Sequence, residues 1–341
     1  MKKKHITIHD IARELNISAS TVSRALHDHP RISKATREAV RQLALKYGYQ
    51  PNVMASSLRK GRSKTVGVIV PRINRNFFAN VIGGMEEILT SSGYHLIICQ
   101  TLEKVHNEIS ALFTMINARV DAIMLSLSME TKDHRHISVL VDKGIRLLFF
   151  DRICEEIETG SVTVDDRLGA YLSVKHLLDQ GYRNIVHIAG ADHINIYRAR
   201  KEGYLKAMQE AGIDVPDSWI MEEPLVPEGG ESAFEKGLKR SPCPDAYFCA
   251  GDFAALGVLQ AARKHGLRIP QDIGITGFAN EPFTGFTEPS MTTVDQRAGE
   301  MGRMLAEMFL RDGDRSDENP PSERIILKPE LIIRNSSILT T

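Results

Sequence analysis

The run Thr7-Ile8-His9-Asp10-Ile11-Ala12-Arg13-Glu14-Leu15-Asn16-Ile17-Ser18-Ala19-Ser20-Thr21-Val22-Ser23-Arg24-Ala25-Leu26 decides the reading of this chain. Ile8, Ile11, Ala12 and Leu15 fall on one helical face, and Thr7 with Asp10 makes a variant capping box at its start. Asn16 and Ile17 supply a tight turn. Ser18 caps a second, short helix whose inward face is Val22, Ala25 and Leu26. Helix, turn and short helix is the pattern that seats its second helix in the major groove of DNA. Outward from it, Ser33 caps a third helix in which Thr36, Val40, Leu43, Ala44 and Tyr47 share a face, and Gly48 stops it. Three helices of this size bury little surface, so the head is a marginal fold alone.

The second helix turns Ala19, Ser20, Ser23 and Arg24 outward. Arg24 has the fork that donates to guanine O6 and N7; the alternative is an ordinary phosphate or surface arginine. Ser20 is short enough for a base edge or a phosphate, and Ala19 offers a methyl contact. Thr21 and Ser23 suit phosphates, which position without specifying. Thr7 and Ser18, at the two helix starts, complete the candidate DNA-binding set within the head.

Charge agrees with this. The chain has 341 residues, 42% of them hydrophobic and 25% charged, which suits two or three globular domains. Its 43 basic and 43 acidic side chains balance, but unevenly: residues 1–62 hold 13 Lys or Arg against 4 Asp or Glu, and the remainder 30 against 39. A basic end on an acidic body is the footprint of a nucleic-acid arm. Lys2-Lys3-Lys4 is either a solvated tail or a phosphate contact. No apolar stretch follows it, so it does not read as a secretory leader, and no window of the length needed to span a membrane is apolar. Cys99, Cys154, Cys243 and Cys249 lack metal-ligand spacing and read as buried, reduced thiols of a cytoplasmic protein. His134-Arg135-His136 reads as a solvated helix start rather than a metal site. With no phosphate-binding loop, nucleophile elbow or paired-cysteine motif, no enzyme, cofactor or metal is expected.

From Thr65 onward strand and helix signals alternate. Strand-like runs fall at 66–70, 95–100, 122–127, 146–150, 161–164, 185–189, 246–249 and 273–278. Helical patterns fill about 78–92, 106–118, 133–143, 167–180, 198–211, 231–239, 253–265 and 297–311. Such alternation means parallel sheets covered by helices, and this many units require two sheets or a closed barrel. The pieces 291–294 and 324–333 look like strands that cross back. Ligands of open parallel sheets sit beyond the carboxyl ends of the strands. There the sequence places Phe77 and Phe78, Asp151 and Arg152, His193, Arg200, Asp252, Asn280 and Glu281. Phe77 and Phe78 offer a stacking surface, though Phe78 also suits the core. Arg200 suits a carboxylate, a phosphate or paired hydroxyls, or else a buried ion pair with Asp151 or Asp252. Asp252 is a ligand group or the cap of the next helix, and His193 a ligand contact or a loop histidine.

The stretches Ile8-His9-Asp10-Ile11-Ala12, Val22-Ser23-Arg24, Ser33-Lys34-Ala35-Thr36-Arg37 and Tyr47-Gly48-Tyr49-Gln50-Pro51-Asn52 resemble the lactose-repressor (LacI/GalR) family of transcription regulators. The similarity continues to the C-terminus. It implies a helix-turn-helix domain at 1–50, a hinge at 51–62 and a two-lobed, periplasmic-binding-protein-like α/β body at 63–341. The lobes would be 63–163 with 297–323, and 164–292 with 326–341. The segment Asn52 to Arg59 is too short to be a stable helix by itself. The resemblance implies that it folds when two copies meet in the minor groove, with Leu58 wedged between base pairs and Ala55 allowing close approach; the alternative is a plain linker. Arg200 matches the arginine with which the family grips ligand oxygens. Two departures stand out. Ala279 follows Gly277-Phe278 where sugar-binding members carry Asp, leaving Asn280 or Glu281 to accept from a hydroxyl. Ile194 and Ile196 are apolar where purine-binding members are polar. The expectation is a homodimeric regulator, most readily a repressor of a pseudo-palindromic operator, controlled by a sugar or sugar derivative. A nucleobase or nucleoside effector is the first alternative, and a solute-binding protein the second.

Overall fold

The computed structural model describes residues 6–26, 28–49, 63–313 and 322–339. The expected hinge, with Asn52, Ala55, Leu58 and Arg59, lies outside the described residues. The chain divides into two compact units, Met1–Ser63 and Lys64–Thr341.

In the first unit, α1 (Ile8–Glu14), α2 (Ala19–Leu26) and α3 (Lys34–Tyr47) enclose a core of Ile11, Ala12, Val22, Ala25, Val40, Leu43 and Ala44. The polar signals act where the sequence puts them. Asn16 takes a left-handed φ of 52°, which turns the chain between α1 and α2. The Ser33 hydroxyl accepts from the Thr36 N–H at 3.1 Å, and Gly48 closes α3 at a φ of 60°. Tyr47 donates to the Glu14 carboxylate at 2.5 Å, tying the end of α3 to the end of α1.

The second unit holds two parallel sheets. The first has the order β11-β5-β4-β3-β1-β2, built from β1 (Thr65–Val70), β2 (His95–Gln100), β3 (Ala122–Leu125), β4 (Leu147–Phe150), β5 (Gly160–Val164) and β11 (Arg324–Leu327). The second has the order β7-β6-β8-β9, from β6 (Ile185–Ala189), β7 (Ile220–Glu222), β8 (Ala246–Cys249) and β9 (Gly274–Thr276). Helices α4 (Asn76–Ser91), α5 (Val105–Ala118) and α6 (Arg135–Asp142) connect the strands of the first lobe. Helices α7 (Asp166–Asp179), α8 (Asn195–Glu210), α9 (Pro227–Leu238) and α10 (Asp252–Lys264) serve the second. The central strands are buried along their length because helices cover both faces; β3, β4, β6 and β8 are fully buried.

The chain passes between lobes three times: from β5 into α7, from β10 (Thr293–Asp295) into α11 (Ala298–Gly313), and from β11 into β12 (Glu330–Ile332). β10 and β12 pair antiparallel beside the second sheet, and α11 packs on α4 of the first lobe. That packing is close: a Cβ on Gly84 would lie 2.2 Å from the Gly299 carbonyl oxygen.

Three expectations need correction. Val164 pairs with Leu327, and Ile326 with Thr163, so all four lie in the first sheet. The lobes therefore divide just after 164 and 327 rather than at 163 and 326. The C-terminal run read as one crossing piece is two strands in different sheets, parted at Lys328-Pro329, because proline donates nothing to a ladder. Finally, Cys154 and Cys249 are buried and all four cysteines are free, but Cys99 is half-buried on an edge strand and Cys243 exposed in a proline-flanked turn. Among the described residues no helix is long and apolar enough to cross a membrane.

Candidate functional site

The head presents a polar ridge along α2. Ser20 and Arg24 are exposed, Ala19, Thr21 and Ser23 half-exposed, while Val22 and Ala25 are buried. Ser18 is committed: its hydroxyl accepts from the Thr21 N–H at 3.1 Å and bonds the Ser20 and Thr21 hydroxyls at 2.8 Å each. Thr7 gives both its N–H and its hydroxyl to the Asp10 carboxylate, at 2.9 and 2.7 Å. These bonds fix the starts of α1 and α2.

In the body, Asp151, Arg152, Arg200, Asp252 and Glu281 are buried polar groups; Asp151 lies in the field of Arg152 and Arg200, and Asp252 bonds the Glu281 backbone. Asp151 follows β4 in a left-handed conformation, φ 59°, and accepts from the Ser126 hydroxyl at 3.2 Å. Burial pushes its carboxyl up, against the pull of Arg152 and Arg200. Arg152 donates to Glu103 at 2.7 Å and to the Leu127 carbonyl at 3.3 Å, both in the first lobe. It also donates to the Tyr197 hydroxyl of the second lobe at 3.3 Å. Its Nε has no hydrogen-bond partner among the described residues and sits 3.9 Å from Asp151.

Arg200 forms a buried ion pair, though with neither expected acid. Its Nε and Nη2 reach Asp166 Oδ1 at 2.8 and 2.7 Å, its Nη1 donates to the Ala250 carbonyl at 2.7 Å, and its plane covers the Phe278 ring at 3.7 Å. Burial raises the Asp166 carboxyl to about 7 in spite of this partner. Asp165 caps α7 by accepting from the Leu168 N–H, which frees Asp166 to face Arg200.

Asp252 is not a helix cap; Gly251 holds that place in α10. The Asp252 carboxylate instead accepts from the Thr293 hydroxyl at 2.6 Å and the Glu281 N–H at 2.8 Å, and burial raises it to about 7. Glu281 accepts from the Asn76 N–H across the cleft and faces Arg75, whose guanidinium lies 3.7 Å over the Phe253 ring. Asn280 donates to Asp295 and accepts from Arg334. His193 is exposed and its Nε2–H donates to the Met129 carbonyl of the first lobe at 2.8 Å. Both phenylalanines are buried members of the first-lobe core, packed edge-on against each other, and Phe78 also packs edge-on against Phe150.

Phe77 and Asn280 line a cavity of about 320 Å³ between the lobes, with Asn76, Asn80, Gln296, Arg297, Glu300 and Arg303 among its other walls. Sequence reasoning missed Asn80 and Gln296, as well as Asp166, Tyr197 and Glu103. The doubled acid Asp165-Asp166 at one helix start was the signal available for Asp166. The others emerge only once the strands are ordered.

Residues 7–52 match the family described as bacterial regulatory proteins, lacI family, and residues 174–337 match the periplasmic binding protein-like domain. Catabolite control protein A of Priestia megaterium is 32% identical over 90% of this chain and 92% of its own. The repressor PurR of Pasteurella multocida is 32% identical over 97% and 98%. The chain belongs to the lacI family of bacterial regulatory proteins. Like the members it matches, this lacI-family chain is a DNA-binding transcription regulator: a helix-turn-helix head joined to a periplasmic-binding-protein-like, effector-binding body. The solved complex of the regulator CelR with cellobiose superposes with a TM-score of 0.74 at 26% identity, covering 97% of this chain and 99% of that one. The lac repressor dimer bound to operator and an anti-inducer gives a TM-score of 0.86 at 22% identity, over 98% and 100%, a likeness of fold.

Proposed function

We propose that the protein is a repressor that binds a pseudo-palindromic operator as a homodimer and is controlled by a neutral, hydroxyl-rich effector of the sugar class held between the lobes. One observation carries the effector class: Arg75, Arg152 and Arg200 in the cleft, and Arg297 and Arg303 in the cavity wall, each have an acid beside them. Arg152 is paired with Glu103, Arg200 with Asp166, Arg297 with Glu300 and Arg303 with Glu87, and Arg75 faces Glu281. The surrounding acids Asp151 and Asp252 add further negative or proton-bearing groups. A phosphorylated ligand would enter against uncompensated carboxylates, whereas hydroxyls can donate to them. Asn76, Asn80, Asn280 and Gln296 offer the paired donors and acceptors that ring hydroxyls need, and Phe77 an apolar wall. The Arg152 Nε–H is a further contact that lobe movement would uncover, and the exposed His193 ring is another. A neutral nucleobase is the second reading, favoured by the Phe77 ring in the cavity wall.

The DNA-reading set is Thr7, Ser18, Ala19, Ser20, Thr21, Ser23 and Arg24, with Arg24 as the base reader. One such head covers about half a site, which is why two copies are needed. The chain works by binding and not by catalysis. The test is a thermal-shift screen of the full chain against neutral sugars, sugar phosphates, nucleosides and bases. A neutral sugar at a hundredfold excess over its Kd should stabilise by about 2.7 kcal/mol. Stabilisation by phosphorylated sugars alone would overturn the charge argument.

A further inference from the structure

The segment between β4 and β5 carries two kinds of chemistry. Asp151 and Arg152 belong to the cleft. Cys154, two residues on, is 3% exposed and joins the core cluster that includes Leu125, Ile137 and Phe149. The backbone N–H groups of Glu156 and Ile157 donate to its sulfur. Glu156 itself is exposed, and its carboxylate stands 3.6 Å from Nδ1 of His134, which enters from the loop before α6. The sulfur, an imidazole nitrogen and a carboxylate oxygen all lie within 4.8 Å of one another. A core thiol needs neither an imidazole nor a carboxylate beside it.

We propose that His134, Cys154 and Glu156 bind a divalent ion of the zinc class. Nitrogen, thiolate and carboxylate together are the donors such borderline-soft ions take, and magnesium or calcium would ask for oxygens throughout. Bonds of about 2.0–2.3 Å in a tetrahedron set ligand atoms roughly 3.5 Å apart. The His134–Glu156 separation of 3.6 Å already matches, and the exposed Glu156 side chain has the freedom to close the wider gap. Three protein ligands leave the fourth position to water. On binding, the Cys154 thiol gives its proton to solvent, and the Glu156 and Ile157 N–H groups hold the resulting thiolate. Neighbouring charges do not compete: Arg135 is bonded to Asp133, and His136 to the buried Glu108 at 2.8 Å.

The position gives the ion a consequence. It would fasten the β4–β5 segment to the start of α6, both in the first lobe. The same segment is gripped from the second lobe by Asn195, which accepts from the Ile153 N–H at 3.2 Å and donates to the Asp151 carbonyl at 3.3 Å. Occupancy therefore stiffens one wall of the effector cleft.

The full chain, stripped with a chelator, is titrated with Zn²⁺ alone and then with Co²⁺, whose thiolate bonds give a sulfur-to-metal charge-transfer band. Expected are one ion per chain, the band in the parent protein, and its loss in Cys154→Ser. His134→Ala and Glu156→Gln should each weaken Zn²⁺ binding at least about tenfold. A band that survives Cys154→Ser would assign the thiolate to another cysteine and overturn the proposal. Should Cys154→Ser fail to fold, His134→Ala decides, because it leaves the core around Cys154 in place: unchanged affinity there overturns the site. No binding to the parent chain does the same.

Discussion

Asp252 shows how much one buried carboxyl can do. It is 1% exposed, holds the Glu281 N–H and the Thr293 hydroxyl, and so fixes the turn that carries Asn280 and Glu281 to the cleft. Its environment is costly for a charge: the carboxyl sits near 3.8 in an unfolded chain and at about 7 when folded. The folded protein therefore binds the extra proton between those values. The stability this contributes is complete below 3.8 and is lost as pH rises through about 7. In Asp252→Asn the amide oxygen still accepts from Glu281 and the amide nitrogen donates to Thr293, with no proton to lose. Unfolding free energies from denaturant titrations across that window should fall in the parent by up to about 4 kcal/mol more than in the variant. Parallel profiles would show that the carboxyl carries no such load. At this scale the sequence was a partial guide. It drew attention to Arg200 and Asp252 because charged residues at strand ends are conspicuous. It misjudged their partners, because Asp166 reaches Arg200 only after α7 and α8 pack side by side.

Among the elements, helix pairing does most to set the lobes. α11 leaves the second lobe to lie on α4, and the two backbones meet at Gly84 and Gly299. Replacing Gly84 with Ala gains up to about 1 kcal/mol of helix propensity. It also drives a Cβ to 2.2 Å from a carbonyl oxygen that no rotamer change can move. Overpacking of this kind costs about 1–3 kcal/mol, so the clash should win and the melting temperature of Gly84→Ala should drop. An unchanged or higher melting temperature would mean that the helices can part freely. Most elements were legible from periodicity. α9 begins at Pro227 rather than 231 because Gly229 and Gly230 resemble a loop in sequence, whereas Gly230 lies against the Ala254 carbonyl oxygen of α10. β7 was not anticipated because three residues carry no period.

At the level of the whole molecule, charge is partitioned between the units. Residues 1–62 carry 13 basic side chains against 4 acidic, and the rest 30 against 39. Attraction to phosphate is then confined to the head, while the body repels it. Binding of the full chain to a random duplex should weaken steeply with salt, with a log–log slope of about −0.9 for each phosphate neutralised, and residues 63–341 alone should show no such binding. Comparable affinity in the body alone would relocate the nucleic-acid surface. The two-part architecture was legible because the head has its own caps, core and charge. The partition of the body into lobes was less so, since β5 and β11 sit at the crossings and their partners are fixed by pairing across more than 160 residues.

Those crossings have a mechanical consequence. Three separate strands of chain tie one half of the body to the other, near Val164, Asp295 and Leu327. A joint with three tethers side by side resists sliding and twisting and leaves one easy motion, a swing about the line they define. Polar clasps between the lobes restrain that swing, among them Arg152 to Tyr197, His193 to Met129, Glu281 to Asn76, and Asn195 to Asp151 and Ile153. Each can be exchanged for water at little net cost, so a small guest bridging both jaws has enough leverage to set the angle.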